Sequence, residues 1–276
     1  MSVDNLNIPK IVSEQINLRS GSLVDLRGSV QHPLVFSYTE VFESAILECP
    51  FEYGRTQPCW RLDEESPFVK SVQVALKYSS DSQRYIAIYG VLEEFYQRFT
   101  HENAASYLGL RNDALAEVPP HGSVFPWRAR TQKSYQTQYE KAAINENISV
   151  GIAEGISAGW LFCGPVRKEK LKAEALRMKN VFDSIQSKGY QRSDDDDGDV
   201  KATALINDNQ EWRWLITAGN HRASAAAGLG YESIPVRINL IIRRCDVKYW
   251  PNVLSGLYTI EEALFVFDRV FYGSRP

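Results

Sequence analysis

The chain has 276 residues, of which 44% are hydrophobic and 24% charged, the balance of a folded globular protein rather than a disordered or fibrous one. Its formal net charge of −3 argues against a nucleic-acid partner, which normally selects a basic excess or stripe. No run approaches the ~20 apolar residues of a membrane span, and the polar N-terminus lacks the apolar segment of a signal peptide. The four cysteines, Cys49, Cys59, Cys163 and Cys245, lack zinc-ligand spacing and read as reduced core residues of a cytoplasmic protein.

Two regions are expected, residues 1–150 and 151–276. In the first, residues 20–60 mix short apolar runs with turn residues and read as strands or irregular structure. Ile88, Val91, Leu92, Phe95 and Phe99 recur at helical spacing and predict a core-facing helix. A short helix over 102–110 should end at Gly109, and Pro119-Pro120-His121-Gly122 breaks the pattern. Phe125-Pro126-Trp127-Arg128 reads as a lid or as an anchor for a linker. The polar stretch onward to Ser149 reads as a segment that wraps or joins the two halves.

The second region has clearer periodicity. A helix is predicted from Arg167 to Lys188, with Leu171, Ala175, Met178, Phe182 and Ile185 inward and its lysines and arginines in water. Gly189 should end it. The run Asp194-Asp195-Asp196-Asp197-Gly198 reads as a solvated loop, and Asp199 as a weak metal contact through Mg²⁺. Val200–Ile206 and Glu211–Thr217 predict a hairpin. Ile234, Val236, Ile238, Leu240 and Ile242 predict a strand with one apolar face, and Pro235 suits its beginning or an edge. Arg243-Arg244 reads as solvated charge or as an extension of a positive pocket. Trp250-Pro251 and Gly256-Leu257-Tyr258 read as a packed loop. Thr259-Ile260-Glu261-Glu262 is a capping box that opens a helix striped by Ile260, Ala263, Leu264, Phe267 and Phe271. The fold class expected is α/β (α+β): a small mixed sheet with flanking helices, plus a mixed helical and strand region N-terminal to it.

The segment Leu215-Ile216-Thr217-Ala218-Gly219-Asn220-His221-Arg222-Ala223-Ser224 carries the chemistry. It reads as strand, glycine turn and helix start. A helix N-terminus presents unpaired amides and partial positive charge. Glycine at the turn lets an anion approach the backbone. His221 and Arg222 oppose the helix dipole, so they are poor choices for stability and good ones for an anionic ligand. The plain alternative is an Asn cap followed by a surface His and Arg.

The residues from Gly164 to Ile238 resemble the ParB N-terminal/sulfiredoxin-like superfamily. The resemblance rests on Gly164-Pro165, a helix ending Ser184-Ile185-Gln186-Ser187-Lys188-Gly189-Tyr190, the Gly219-Asn220-His221-Arg222 turn, Ala225-Ala226-Ala227, Leu229-Gly230-Tyr231 and Ile234-Pro235-Val236. It implies a site for ATP, ADP or CTP, with the phosphates on the glycine turn and following helix. Known activities on this fold are CTP-dependent DNA clamping, ATP-dependent repair, free-serine phosphorylation and, for some relatives, nuclease action. Sulfiredoxins carry a cysteine where this chain has Asn220, and ParB proteins carry Glu-Arg-Arg where it has Asn-His-Arg. The turn is similar to the Gly-x-His-Arg form of kinase-like and uncharacterised members.

The resemblance therefore implies a nucleotide tri- or diphosphate with Mg²⁺, held by Gly219, Asn220, His221, Arg222 and Ser224. His221, Glu169 and Glu174 are the catalytic candidates, although beside the core position Ala175 the plain reading of Glu174 is a surface salt bridge. The leading expectation is a phosphotransferase acting on a small hydroxylated substrate, with no membrane partner. Alternatives are a non-catalytic nucleotide-sensing or protein-interaction module and, more weakly, a ParB-like DNA-binding protein or nuclease.

Overall fold

A computed structural model describes residues 22–29, 31–38, 42–57, 59–192 and 199–274. The run Asp194–Gly198 lies outside them. The fold is mixed α/β, built on one seven-stranded sheet. Its strands are β1 (Ser22–Asp25), β2 (Phe42–Pro50), β3 (Gly54–Thr56), β4 (Trp60–Arg61), β5 (Val200–Ile206), β6 (Trp212–Ala218) and β7 (Ser233–Arg243). They lie in the order β1-β2-β7-β5-β6-β3-β4. β1 and β2, β5 and β7, and β3 and β6 pair parallel, and the other neighbours pair antiparallel. Strands from both sides of the expected 150/151 boundary are thus neighbours in one sheet.

Period-two burial fixes which way each strand faces. Val200, Ala202, Ala204 and Ile206 of β5 join Trp212, Trp214 and Ile216 of β6 in one core, while Leu205 and Leu215 point into a second core on the opposite face. The stripe expected along β7 does not keep to one face. Ile234, Val236 and Ile238 enter the first core, Leu240 is exposed, and Ile242 enters the second. The reason is a register shift. Ala202 pairs with Ile238 but Thr203 pairs with Leu240, so Asn239 is an extra residue that turns the later side chains over. Pro235 lies near the start of β7, which is an interior strand and not an edge.

Helices cover both faces. Against the first core lie α1 (Leu34–Ser37), through Phe36, and two longer helices, α2 (Pro67–Ala75) and α8 (Asn220–Gly228). Outside these, α3 (Asp81–Arg98) and α7 (Lys168–Lys188) form a third core with them. The expected stripes account for this packing: Ile88, Leu92 and Phe95 of α3 and Leu171, Ala175, Met178, Phe182 and Ile185 of α7 are all buried. The second core is closed by α4 (Ala104–Leu108) and the C-terminal helix α10 (Ile260–Tyr272), with α5 (Asp113–Ala116) supplying Leu115. The Thr259–Glu262 capping box is formed as expected, but Ile260 is exposed, and Val266 and Val270 join Phe267 and Phe271 inside. Phe125 and Trp127 stack in parallel within this core, and the Pro126 carbonyl accepts from the Asn252 amide at the start of the short α9 (Pro251–Leu254). The 125–128 segment is therefore an anchor.

The stretch expected to wrap or link the halves is an 18-residue helix, α6 (Gln132–Ser149), capped by Thr131. Tyr135, Tyr139, Ala143 and Asn147 follow one another at intervals of four along its inward face. Tyrosine, alanine and asparagine make an inward face with no aliphatic signature, which is why apolar periodicity misses it.

α8 meets α2 through Gly228, where an added Cβ would lie 2.7 Å from Val72 Cβ and 3.0 Å from the Val69 carbonyl oxygen. Gly228→Val should lower unfolding stability by about 2–3 kcal/mol through overpacking. The urea midpoint measures this, and an unchanged midpoint would contradict the packing described.

Candidate functional site

The glycine turn forms as expected. Gly219 adopts φ 84°, and a Cβ there would press within 3.0–3.1 Å of Val200, so both conformation and space call for glycine. The first helical bond of α8 runs from the Ala223 amide to the Gly219 carbonyl. The amides of Asn220, His221 and Arg222 precede it, and no side chain caps them.

These residues line a cavity of about 410 Å³ together with Gln57, Tyr139, Glu146, Leu161, Phe162, Arg177, Val181, Ile216 and Thr217. The cavity lies beyond the C-terminal ends of the parallel strands β3 and β6, where open α/β sheets place their ligands. Its volume falls in the ~300–1,000 Å³ range usual for small-molecule sites. A second lobe of about 310 Å³ shares Gln57, Tyr139 and Thr217 with it and adds Arg128, Arg130, Tyr135, Gln138 and Ala142. On the opposite flank, a groove of about 580 Å³ runs past Arg222 and Val181 along the end of α7 to Tyr190 and Arg192.

Beneath the turn is a buried charge cluster. Glu174 is fully buried, and its carboxylate meets His221 Nε2 at 2.9 Å, Lys170 Nζ at 2.9 Å and Arg177 Nη1 at 3.5 Å. Lys170, also buried, donates to Glu146 Oε2 at 3.2 Å and Asn147 Oδ1 at 3.1 Å, and Arg177 pairs with Glu146 as well. Burial by itself pushes the Glu174 carboxyl up. The hydrogen bond from His221 and the charges of His221, Lys170 and Arg177 outweigh it and hold the group at about 2. An ionised carboxylate only accepts, so the proton of this contact sits on His221 Nε2, and Nδ1 is the remaining ring position. A T-shaped contact with Phe68 at 5.6 Å packs against the ring.

Asn220 is also buried. Its Oδ1 accepts from Thr56 Oγ1 at 2.6 Å, while its Nδ2 has no partner among the described residues. Arg222 donates to the Gln191 carbonyl at 2.9 Å and lies 5.4 Å over the Tyr190 ring, so it faces both the cavity and the flanking groove.

The expected residues do not all converge. Gly219, Asn220, His221 and Arg222 share the cavity, and Glu174 supports it from below rather than standing on the surface. Glu174 reaches His221 and not the cavity wall, which makes it a positioning group. Glu169 is exposed in a separate groove with Tyr85 and Leu176. Ser224 is fully buried on the packed side of α8 and does not line the cavity. Asp199 is buried in an ion pair with Arg192 at 2.9 Å. Among the described residues no three His, Cys, Asp or Glu side chains group as a metal site. Arg244 is occupied by Asp268 and Asp208 and adds nothing to the cavity.

Gln57, Tyr139, Glu146 and Arg177 are wall residues that sequence reasoning missed. Arg177 stands three residues after Glu174, and Lys170 four before it. The spacing 170, 174, 177 is a second, charged stripe on α7 that the apolar stripe overshadows. Lys170 is therefore not in water, contrary to expectation.

No protein-family model, curated protein or solved structure matches the chain.

The low Glu174 value has a consequence for stability. Its ordinary value is 4.5, so the ionised carboxylate contributes fully above that pH and its contribution is lost as pH falls toward 2. The loss should reach roughly 3 kcal/mol. Denaturant titrations between pH 6 and pH 2 should show this slope in the native chain and a flatter one in Glu174→Gln. Glu174→Ala, which strands buried cations, should cost about 3–5 kcal/mol at neutral pH. Equal pH slopes in the native chain and Glu174→Gln would contradict the assignment.

Proposed function

We propose that this cavity binds the phosphates of a nucleotide and that the protein is a phosphotransferase acting on a small hydroxylated substrate. The observation that carries the reading is His221, at the uncapped N-terminus of α8, held by a buried, ionised Glu174 on the wall of a cavity that also presents Arg177 and Arg222. Backbone amides, a helix N-terminus and guanidinium groups are the donors a phosphate chain needs. The Asn220 amide, without a partner among the described residues, adds a further buried donor beside them. The similarity of the Gly219–Arg222 turn to the Gly-x-His-Arg form supports the same ligand class.

In this reading the phosphates lie across the turn, and the nucleoside extends past Arg222 into the groove toward Tyr190. The acceptor hydroxyl attacks the terminal phosphorus. Its oxygen–phosphorus bond forms as the bridging phosphorus–oxygen bond breaks, and the electron pair leaves on the nucleoside diphosphate. The hydroxyl proton passes to His221 Nδ1, and Glu174 stabilises the imidazolium that results. Arg177 and Arg222 offset the charge on the transferring group, which is most of what phosphoryl transfer asks of a protein.

Titration with ATP, ADP and CTP in the presence of Mg²⁺ tests the binding step. Arg222→Ala should weaken the preferred nucleotide by about 10–100-fold, the loss expected of a charge-assisted contact. His221→Gln should keep binding within a few-fold and lower acceptor-dependent turnover by about 100-fold or more. Absence of binding by any nucleotide would overturn the reading. Tight binding without turnover across a panel of hydroxylated acceptors would remove the catalytic part and leave a nucleotide sensor.

A further inference from the structure

We infer that the second lobe of the cleft is the acceptor subsite and that it selects a small hydroxylated anion, whose carboxylate or phosphate rests on Arg128 and Arg130. The inference deepens the phosphotransferase reading and rests on it for the word acceptor; the anion site itself stands on separate residues.

The lobe is lined by Arg128 and Arg130 and by no carboxylate. Among the described residues neither arginine has an ion pair, and Arg128 Nε is buried without a hydrogen-bond partner. Two guanidinium groups on the wall of one lobe, with no carboxylate lining it, match the planar, bidentate geometry of an oxyanion. Arg244, by contrast, is met by Asp208 and Asp268, and Arg177 by Glu146.

Arg128 is also held in place. Its amide donates to the Phe125 carbonyl at 3.0 Å, and its carbonyl accepts from Asn252 Nδ2 at 2.8 Å. The adjoining Phe125 and Trp127 are stacked in the core. The backbone that carries Arg128 is therefore fixed at the wall of the lobe. Around it the lobe presents the groups that recognise hydroxyls: the Tyr135 and Tyr139 hydroxyls, 3.1 Å apart, and the side chains of Gln57, Gln138 and Thr217.

The position matters as much as the charge. Gln57, Tyr139 and Thr217 line both lobes, so a ligand anchored on Arg128 and Arg130 lies next to the cavity of the glycine turn. The chain is acidic as a whole, yet Arg128, Arg130, Arg177, Arg222 and His221 surround this cleft, and among the described residues Glu146 is the one carboxylate on its walls. A neutral acceptor would leave the outer pair of arginines unused.

The test is calorimetric titration of the full chain with D-glycerate, glycerol 3-phosphate and glycerol, alongside ATP. The two anions separate a carboxylate from a phosphate preference, and glycerol reports the hydroxyls alone. At least one anion should bind more than tenfold more tightly than glycerol. Arg128→Gln/Arg130→Gln should weaken that anion by about 10–100-fold and ATP by less than threefold. Arg130→Gln, at an exposed position, should weaken the anion in the same direction and guards against misfolding of the double variant. Arg222→Ala should do the converse, weakening ATP and sparing the anion. Equal binding of anions and glycerol, anion binding unchanged in both arginine variants, or loss of ATP together with the anion in Arg130→Gln would overturn the inference. If the arginine-dependent anion binds but ATP never does, the phosphotransferase reading fails while the anion site stands.

Discussion

The arrangement depends on one buried carboxylate. Glu174 sits on α7 with no access to water and is ionised because the His221 ring donates to it and the cationic Lys170 and Arg177 converge on it. An isolated buried carboxylate would protonate to avoid desolvation. Here the partners are geometrically committed: Lys170 and Arg177 by helical spacing, and His221 by the turn that starts α8. Glu174 thereby ties α7 to the N-terminus of α8, and Lys170 and Arg177 extend the tie to Glu146 and Asn147 at the end of α6. Three successive α-helices are thereby registered against one another at the mouth of the cleft.

That registration gives the cleft its electrostatic character. Cations that would repel one another are held together by two carboxylates, of which only Glu146 reaches the cavity wall. The helix N-terminus adds its own positive end from the strand side. The buried residues therefore stabilise a surface that is biased toward anions before any ligand arrives. Such preorganisation is costly in stability and useful for charge recognition, since it spares reorganisation on binding.

Much of the frame was legible in the sequence. The α7 stripe, the β5–β6 hairpin, the Gly219 turn and the Thr259 capping box each rest on local rules, and local rules suffice where one face is apolar and the ends are marked. The failures share a physical cause. α6 packs through tyrosine, alanine and asparagine, so its inward face carries no aliphatic period. The β7 stripe changes face because a bulge at Asn239, a property of strand pairing, inserts one residue. Glu174 and Lys170 look like solvent-side charges until a second helix covers them. Ser224 lies at a helical position that local sequence places near the turn but the fold turns inward. The N-terminal contribution to the cleft, through Gln57, Arg128 and the tyrosines of α6, depends on pairings between distant segments, and no local pattern encodes it.

The most direct measurement is nitrogen-resolved NMR of the imidazole rings in ¹⁵N-histidine-labelled protein. The chain has four histidines, so the His221 signals can be assigned by a single substitution. The account predicts that Nε2 of His221 carries a fixed proton bonded to Glu174 and that addition of ATP with Mg²⁺ shifts the His221 ring signals more than those of the other three. Ring signals that report exchange between tautomers, or a His221 that stays unshifted while ATP binds, would contradict it.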